Sequence, residues 1–278
     1  MHVVAVINRK GGSGKSTLAT HLAGYCARSG WRVMLGDVDR QQSSMAWLRR
    51  RAGQPMAQGA DVVGWALDAR SVLRAPTGIT HVVLDTPGGL RGADLARLVM
   101  LADAILVPVC GSVFVRDSAA ACHAELMTLP RVASGRCKVA AVGMRVDART
   151  KASEQLAAWA QPLGLHYLGP IRETQGYVRS IEGGLTLFDQ QADKVQPDLA
   201  QWQPIIDWLQ AAWQAAPTRS VSQAARMPTT RPAREDGEVP RSAPPARPLR
   251  VAPPPLRPLA APSPGALSWL KTIFRFAS

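Results

Sequence analysis

Apolar residues fall along this chain in short β-branched runs, separated by longer stretches with helical spacing. The runs at 3–7, 31–35, 82–85, 104–109, 138–146 and 165–171 are nearly continuous rather than alternating, as strands covered on both faces must be. A helical pattern follows the first run, and others lie near 114–128 and 151–162. The order predicts an α/β class fold: a doubly wound, mostly parallel sheet with its ligand site at the carboxyl ends of the strands. No internal repeat is visible.

The pattern breaks after Trp213. Residues 217–264 hold 13 prolines and eight arginines with few large apolar groups. Such a segment cannot bury enough apolar surface to fold, and its prolines favour extended polyproline II. Three parts follow: a folded domain over 1–215, a Pro/Arg-rich disordered linker over 216–264, and a terminal helix over 265–278. The linker reads as a basic spacer or a nucleic-acid contact, with a PxxP-type ligand as a further reading. In the terminal segment Ser268, Lys271, Thr272 and Arg275 share one arc of a helix, and Leu267, Trp269, Leu270, Ile273, Phe274 and Phe276 fill the other. Residues 266–277 suit an anionic membrane surface. Docking on the folded domain or in a partner's groove uses the same spacing.

The first run leads directly into Arg9-Lys10-Gly11-Gly12-Ser13-Gly14-Lys15-Ser16-Thr17 and then a helix. Strand, Gly-rich loop and helix in this order form a phosphate cradle. Backbone N–H groups turn inward and the helix N-terminus adds positive potential, Lys15 reaches the terminal phosphates, and the Ser16 hydroxyl is placed for Mg²⁺. Two further strand ends carry carboxylates: Asp37 and Asp39 after the second run, and Asp85, followed by Thr86-Pro87-Gly88-Gly89, after the third.

Lys10, five residues before Lys15, distinguishes the loop from the common G-x-x-x-x-G-K-[ST] form, as does Arg9 in place of the first glycine. The pattern K-G-G-x-G-K-[ST] resembles the deviant Walker A P-loop of the ParA/MinD ATPases, and small chromosomal ParA-like partitioning proteins in particular. The resemblance covers roughly 1–213. It implies that Lys10 crosses a dimer interface to the partner's nucleotide and that Gly11 to Thr17 cradle the phosphates of ATP. Asp37 would support a Mg²⁺ shell, with Ser16 and Asp85 as metal-holding residues, and Asp39 would position the attacking water. Arg40 stands where the family has proline. Residues 142–146 and 171–177 resemble late family segments that approach the base and the dimer interface, with Met144 where asparagine is often seen.

Composition fits this reading. The net charge is +13, and both the folded part and the tail are basic. A basic ATPase of this family is expected to bind DNA nonspecifically, with Arg145, Arg149, Lys151, Arg172 and Arg179 as candidate contacts. Cys26, Cys110, Cys122 and Cys137 show no metal or disulfide spacing, and His123 and His166 read as structural or surface residues. With no apolar stretch near the ~20 residues of a membrane span and no leader-like start, the expected location is cytoplasmic, on the nucleoid or peripheral to the inner membrane.

The resemblance thus implies a slow ATPase that forms a homodimer with ATP, is stimulated by an adaptor or cargo protein, and partitions or positions DNA or a protein complex. A second reading is a membrane-docked regulatory subunit of an envelope complex for secretion or polysaccharide synthesis. A metabolic P-loop kinase is disfavoured by Lys10 and by the lack of an acceptor-substrate constellation.

Overall fold

The computed structural model describes residues 1–66, 75–147 and 149–215. The predicted linker and terminal helix therefore lie outside the described residues. Seven strands form one parallel sheet: β1 (His2–Val6), β2 (Val33–Asp37), β3 (Val62–Ala66), β4 (His81–Asp85), β5 (Ala104–Val109), β6 (Lys138–Val146) and β7 (His166–Arg172), in the order β3-β2-β4-β1-β5-β6-β7. The expected α/β doubly wound sheet is what forms. β1 is central, with β4 and β5 hydrogen-bonded on either side.

Side-chain alternation explains how one apolar run serves two layers. Val4 and Val6 enter one core, with Leu18 and Leu22 of α1 (Lys15–Arg28), Trp47 of α2 (Ser43–Arg51), and Trp202 and Leu209 of α8 (Ala192–Ala215). Val3, Ala5 and Ile7 enter the other. There they meet Leu95 and Leu98 of α3 (Gly92–Leu101), Cys122 and Leu126 of α4 (Val113–Thr128), Val132 of the short α5 (Pro130–Ala133), and Leu156 of α6 (Ala152–Ala160). A polar residue on either side would face a core, so the pattern is apolar throughout.

The structure moves some predicted boundaries. β2 starts two residues later than the apolar run and continues through Gly36 to Asp37. The helix predicted to 162 ends at Ala160 and gives way to a 3₁₀ turn at Gln161–Leu163, because Pro162 cannot donate to a continuing helix. β3 has no counterpart among the predicted strands. It is an edge strand whose glycine interrupts the apolar run: a Cβ at Gly64 would lie 2.7 Å from Leu48 Cδ1.

α8 runs through Pro197 and Pro204. Each proline removes a backbone hydrogen bond, and burial of Trp202, Ile205, Leu209 and Trp213 offsets that cost. α7 (Gln175–Glu182) is capped by the Thr174 hydroxyl, which accepts from Gly176 N. It flanks the carboxyl end of the sheet, beside the phosphate-loop region.

Candidate nucleotide site

Strand ends β2, β4 and β1 are neighbours in the sheet, so Asp37, Asp85 and the loop after Val6 emerge side by side. The loop opens onto a cleft of about 650 Å³ whose lining includes Gly11, Gly12, Gly14, Lys15, Ser16, Thr17, Asp39 and Gly88, with Glu173 to Gln175 and Tyr177 also lining it, while Asp37 and Asp85 are buried and do not line it. Of the predicted phosphate-cradle residues, all but Ser13 line this cavity together with Asp39. Lys10 is exposed, whereas Ser13 and Lys15 are buried.

The loop is anchored from several directions. Asn8 Nδ2 donates to the Pro108 carbonyl at 2.7 Å, and its Oδ1 accepts from Lys10 N at 3.0 Å and from Ser118 Oγ. Gly14 has φ +95 and closes directly onto α1, and a Cβ there would lie 3.0 Å from Met144 Cε. Only glycine meets both demands. Lys15 Nζ donates to the Lys10 carbonyl at 3.1 Å. Burial lowers the Lys15 pKa, and the nearby Asp85 and Asp39 carboxylates oppose that shift.

Asp37 is fully buried, and three backbone N–H groups converge on it. Oδ1 accepts from Asp39 N, and Oδ2 from Ser44 N at 2.9 Å and Met45 N at 3.1 Å, so it caps α2 from outside the helix. Ser44, fixed by this cap, donates its hydroxyl to Asp85 Oδ2 at 2.6 Å. Asp37 therefore acts on Asp85 through Ser44, a residue the sequence reading did not single out.

Asp85 is 1% exposed, and its Oδ1 has no hydrogen-bond partner. Burial pushes its carboxyl up to about 6, against the Ser44 hydrogen bond, the Ser16 hydroxyl and the Lys15 ammonium, which all favour the charged form. Unsatisfied buried carboxylate oxygens are costly. The Ser16 hydroxyl acts on the same carboxyl, and the two groups together suit a hard divalent cation such as Mg²⁺. Asp39 is half-buried on the cleft wall, and its Oδ1 accepts from Gln41 N.

The Gly-rich segment after Asp85 is tied to the phosphate loop. Gly89 N donates to the Arg9 carbonyl at 2.7 Å, and Thr86 Oγ1 donates to the Val6 carbonyl. Arg9 pairs with Glu125 of α4, whose other oxygen accepts from Gly92 N at 2.7 Å. Arg9, where the common loop form has glycine, thus links the loop to α3 and α4.

The basic residues proposed as DNA contacts are not equivalent. Arg172 is held by Asp198 through two hydrogen bonds, Arg149 by Asp147, and Arg145 by the Gly12 carbonyl. Lys151 and Arg179 are exposed. The four cysteines are free, and His123 is buried while His166 is exposed. Among the described residues no three His, Cys, Asp or Glu side chains group as a metal site, and no helix is long and apolar enough to cross a membrane.

A glycine-rich phosphate loop at the end of the central strand of a parallel sheet, with a lysine, a hydroxyl and strand-end carboxylates around it, defines a P-loop nucleotide-binding domain. Residues 4–187 match the CobQ/CobB/MinD/ParA nucleotide binding domain, and the chain belongs to that family. It is 38% identical over 112 residues to the Maintenance of carboxysome distribution protein A of Gloeobacter kilaueensis, spanning 38% of this chain and 48% of that protein. It is 30% identical over 184 residues to the chromosome-partitioning ATPase Soj of Thermus thermophilus, spanning 56% of this chain and 74% of that one. Its fold is similar to that of an ATP complex of Cyanothece McdA, with a TM-score of 0.59 at 15% identity, covering 79% of this chain and 99% of the other. The ParA/MinD resemblance of the loop therefore extends to the whole domain.

Proposed function

We propose that this protein is an ATP- and Mg²⁺-dependent ATPase that partitions or positions a cellular cargo, switching its attachment to a nucleoid or membrane surface with nucleotide state. The observation that carries this reading is the bare Oδ1 of buried Asp85, beside Ser16 and Lys15 at the head of a glycine-built phosphate loop. Lys15 and Ser16 would hold phosphate and Mg²⁺, with Asp85 on the metal and Asp37 supporting it through Ser44. Bound Mg²⁺ would supply charge neutralisation at the phosphates. Asp39, which lines the cleft and is not among the groups capping α2, would orient the attacking water.

The exposure of Lys10 supports its expected reach into a second copy's site, since its own loop leaves it directed to solvent. A homodimer closed by ATP would bring two basic tails to one surface, and this avidity converts weak attachment into a switch. The partitioning and positioning roles in the names of Soj and the carboxysome protein favour a cargo-moving role over metabolic chemistry.

The test measures ATP hydrolysis, mass by light scattering, and co-sedimentation with nonspecific DNA and with anionic vesicles, for the full chain and for residues 1–215. ATP-dependent dimerisation should be lost in Lys10→Ala and Lys15→Ala, and turnover in Lys15→Ala and Asp39→Ala. DNA binding that survives truncation would identify a nucleoid-riding positioner, and vesicle binding lost with the tail a membrane switch. Unchanged turnover in both Lys15→Ala and Asp39→Ala would refute the ATPase assignment.

A further inference from the structure

Arg145 combines three features that no role assigned above accounts for. It has φ +53, one of two positive values among the described non-glycine residues. It lies where β6 and β7 lose register: Gly143 opposes Pro170 and Val146 opposes Arg172, three steps on one strand against two on the other. Its Nη2 donates to the Gly12 carbonyl at 2.6 Å, across 133 residues of sequence. A bulge with a left-handed residue re-aims a side chain that regular pleating would send elsewhere. Strain of this kind at a cleft is grounds for a functional hypothesis.

Gly12 has φ +73, and its peptide bond joins it to Ser13. The peptide is planar and trans, so the Ser13 N–H points opposite to the Gly12 carbonyl. A guanidinium that fixes the carbonyl therefore fixes the N–H as well. Met144, the preceding residue, packs against Gly14, so the end of β6 bears on the loop at two points. Arg145 also lines the cleft and carries a permanent positive charge there.

We infer that Arg145 is a positioning residue for nucleotide binding: it clamps the Gly12–Ser13 peptide so that the phosphate-binding N–H groups are preset, and the bulge in β6 exists to aim it. This rests on the nucleotide-binding reading of the cleft. Preorganised donors bind without the cost of ordering the loop. A charge-assisted hydrogen bond of this kind is also stronger than a neutral one.

The test uses the full chain with three variants, Arg145→Gly, Arg145→Lys and Lys15→Ala. Amide hydrogen exchange of residues 11–14 is measured without nucleotide, and affinity for a fluorescent non-hydrolysable ATP analogue with Mg²⁺. Arg145→Gly removes the clamp while suiting the positive φ, so it should keep its thermal midpoint, exchange faster over 11–14, and bind the analogue about tenfold more weakly. Arg145→Lys keeps the charge but not the fork and should recover only part of the loss. Unchanged exchange over 11–14 in Arg145→Gly overturns the clamp. So does unchanged affinity in that variant when the parent binds. A parent that binds no analogue, like Lys15→Ala, instead overturns the nucleotide reading, while the exchange measurement still decides the clamp.

Discussion

The two ends of the parallel sheet are built on opposite terms. At the amino end Trp31 stacks on His81 with ring centroids 4.1 Å apart, Trp213 meets both rings edge-on, and His2 lies against His81 and Trp213. Beside this cluster Asp103 accepts from Val3 N at 2.9 Å and pairs with Arg131 at 2.8 Å, so its buried charge is answered. At the carboxyl end Asp85 is buried with a bare oxygen, Ser13 Oγ is buried without a partner, and Arg145 and Gln42 hold positive φ. Both ends carry buried polar groups. The amino end answers its buried carboxylate and leaves the Trp213 ring N–H without a partner. The carboxyl end instead leaves oxygens of Asp85 and Ser13 unanswered around the phosphate loop, at a cost in stability. That division is what a binding site on a stable scaffold requires.

The largest test of this contrast removes a ring from the amino end. Trp213 is 4% exposed, and Trp213→Ala should lower unfolding free energy by about 3–5 kcal/mol. ATP-analogue affinity should stay unchanged in the fraction that remains folded, measured by denaturant titration and fluorescence anisotropy. A parallel loss of affinity in folded protein would mean that the two ends are coupled.

The next effect is pH dependence. His81 is lowered to about 4 by burial, with His2 adding to the shift, and fully buried His21, stacked on Trp202, is lowered to about 4 as well. Both imidazoles stay neutral in the folded chain while the unfolded chain takes up protons below about 6.5. Stability should therefore be complete above about pH 6.5 and fall as pH drops toward 4, by roughly 2–3 kcal/mol for each histidine. His81→Phe keeps a ring beside Trp31 and should flatten this slope; an unchanged slope would exclude His81 as a source.

Asp85 titrates in the opposite sense. Its carboxyl is raised to about 6, so the folded state holds this proton longer than the unfolded one. Its contribution worsens as pH rises from about 4 to 6 and stays unfavourable above that. Asp85→Asn keeps an acceptor for the Ser44 hydroxyl and removes the buried charge. The variant should be more stable than the parent at pH 7.5 by about 1–2 kcal/mol without nucleotide, and should lose Mg²⁺-dependent nucleotide binding. A destabilised Asp85→Asn protein would show that the carboxylate serves the fold rather than the site.

The smallest expected change is at Arg9. Its ion pair with Glu125 is partly exposed, with 22% and 28% of the two side chains accessible, so Arg9→Ala should cost only about 0.5–1 kcal/mol of stability. Urea unfolding of Arg9→Ala beside the parent measures it directly, and a loss near that of Trp213→Ala would mean the pair is a structural anchor.

Legibility in the sequence follows the same division. The phosphate loop was readable because its chemistry needs contiguous residues: glycine at the left-handed turn of Gly14, a lysine and a hydroxyl at fixed offsets. Buried strands such as β5 and β6 announced themselves by largely apolar runs, and both match the predicted bounds. β3 was missed although Val62, Val63, Trp65 and Ala66 are apolar, because Gly64 divides the run into two short pairs, and that glycine is set by contact with Leu48 of α2. Pro197 and Pro204 signal breaks that packing of α8 overrides. Ser44 and Arg145 were out of reach for another reason: their roles depend on a helix cap across a strand end and on the register of β6 against β7, which no local spacing encodes.

The central claim is that the carboxyl end holds a nucleotide whose binding settles what that end leaves open. The most direct test follows the thermal unfolding midpoint of the full chain as Mg²⁺ and ATP are added, beside Lys15→Ala. Binding to the folded state alone at about 100 times Kd adds about 2.7 kcal/mol. The midpoint should rise with ATP, rise further with Mg²⁺, and stay fixed in Lys15→Ala. A midpoint for the parent that does not move at saturating Mg²⁺ and ATP would contradict the account.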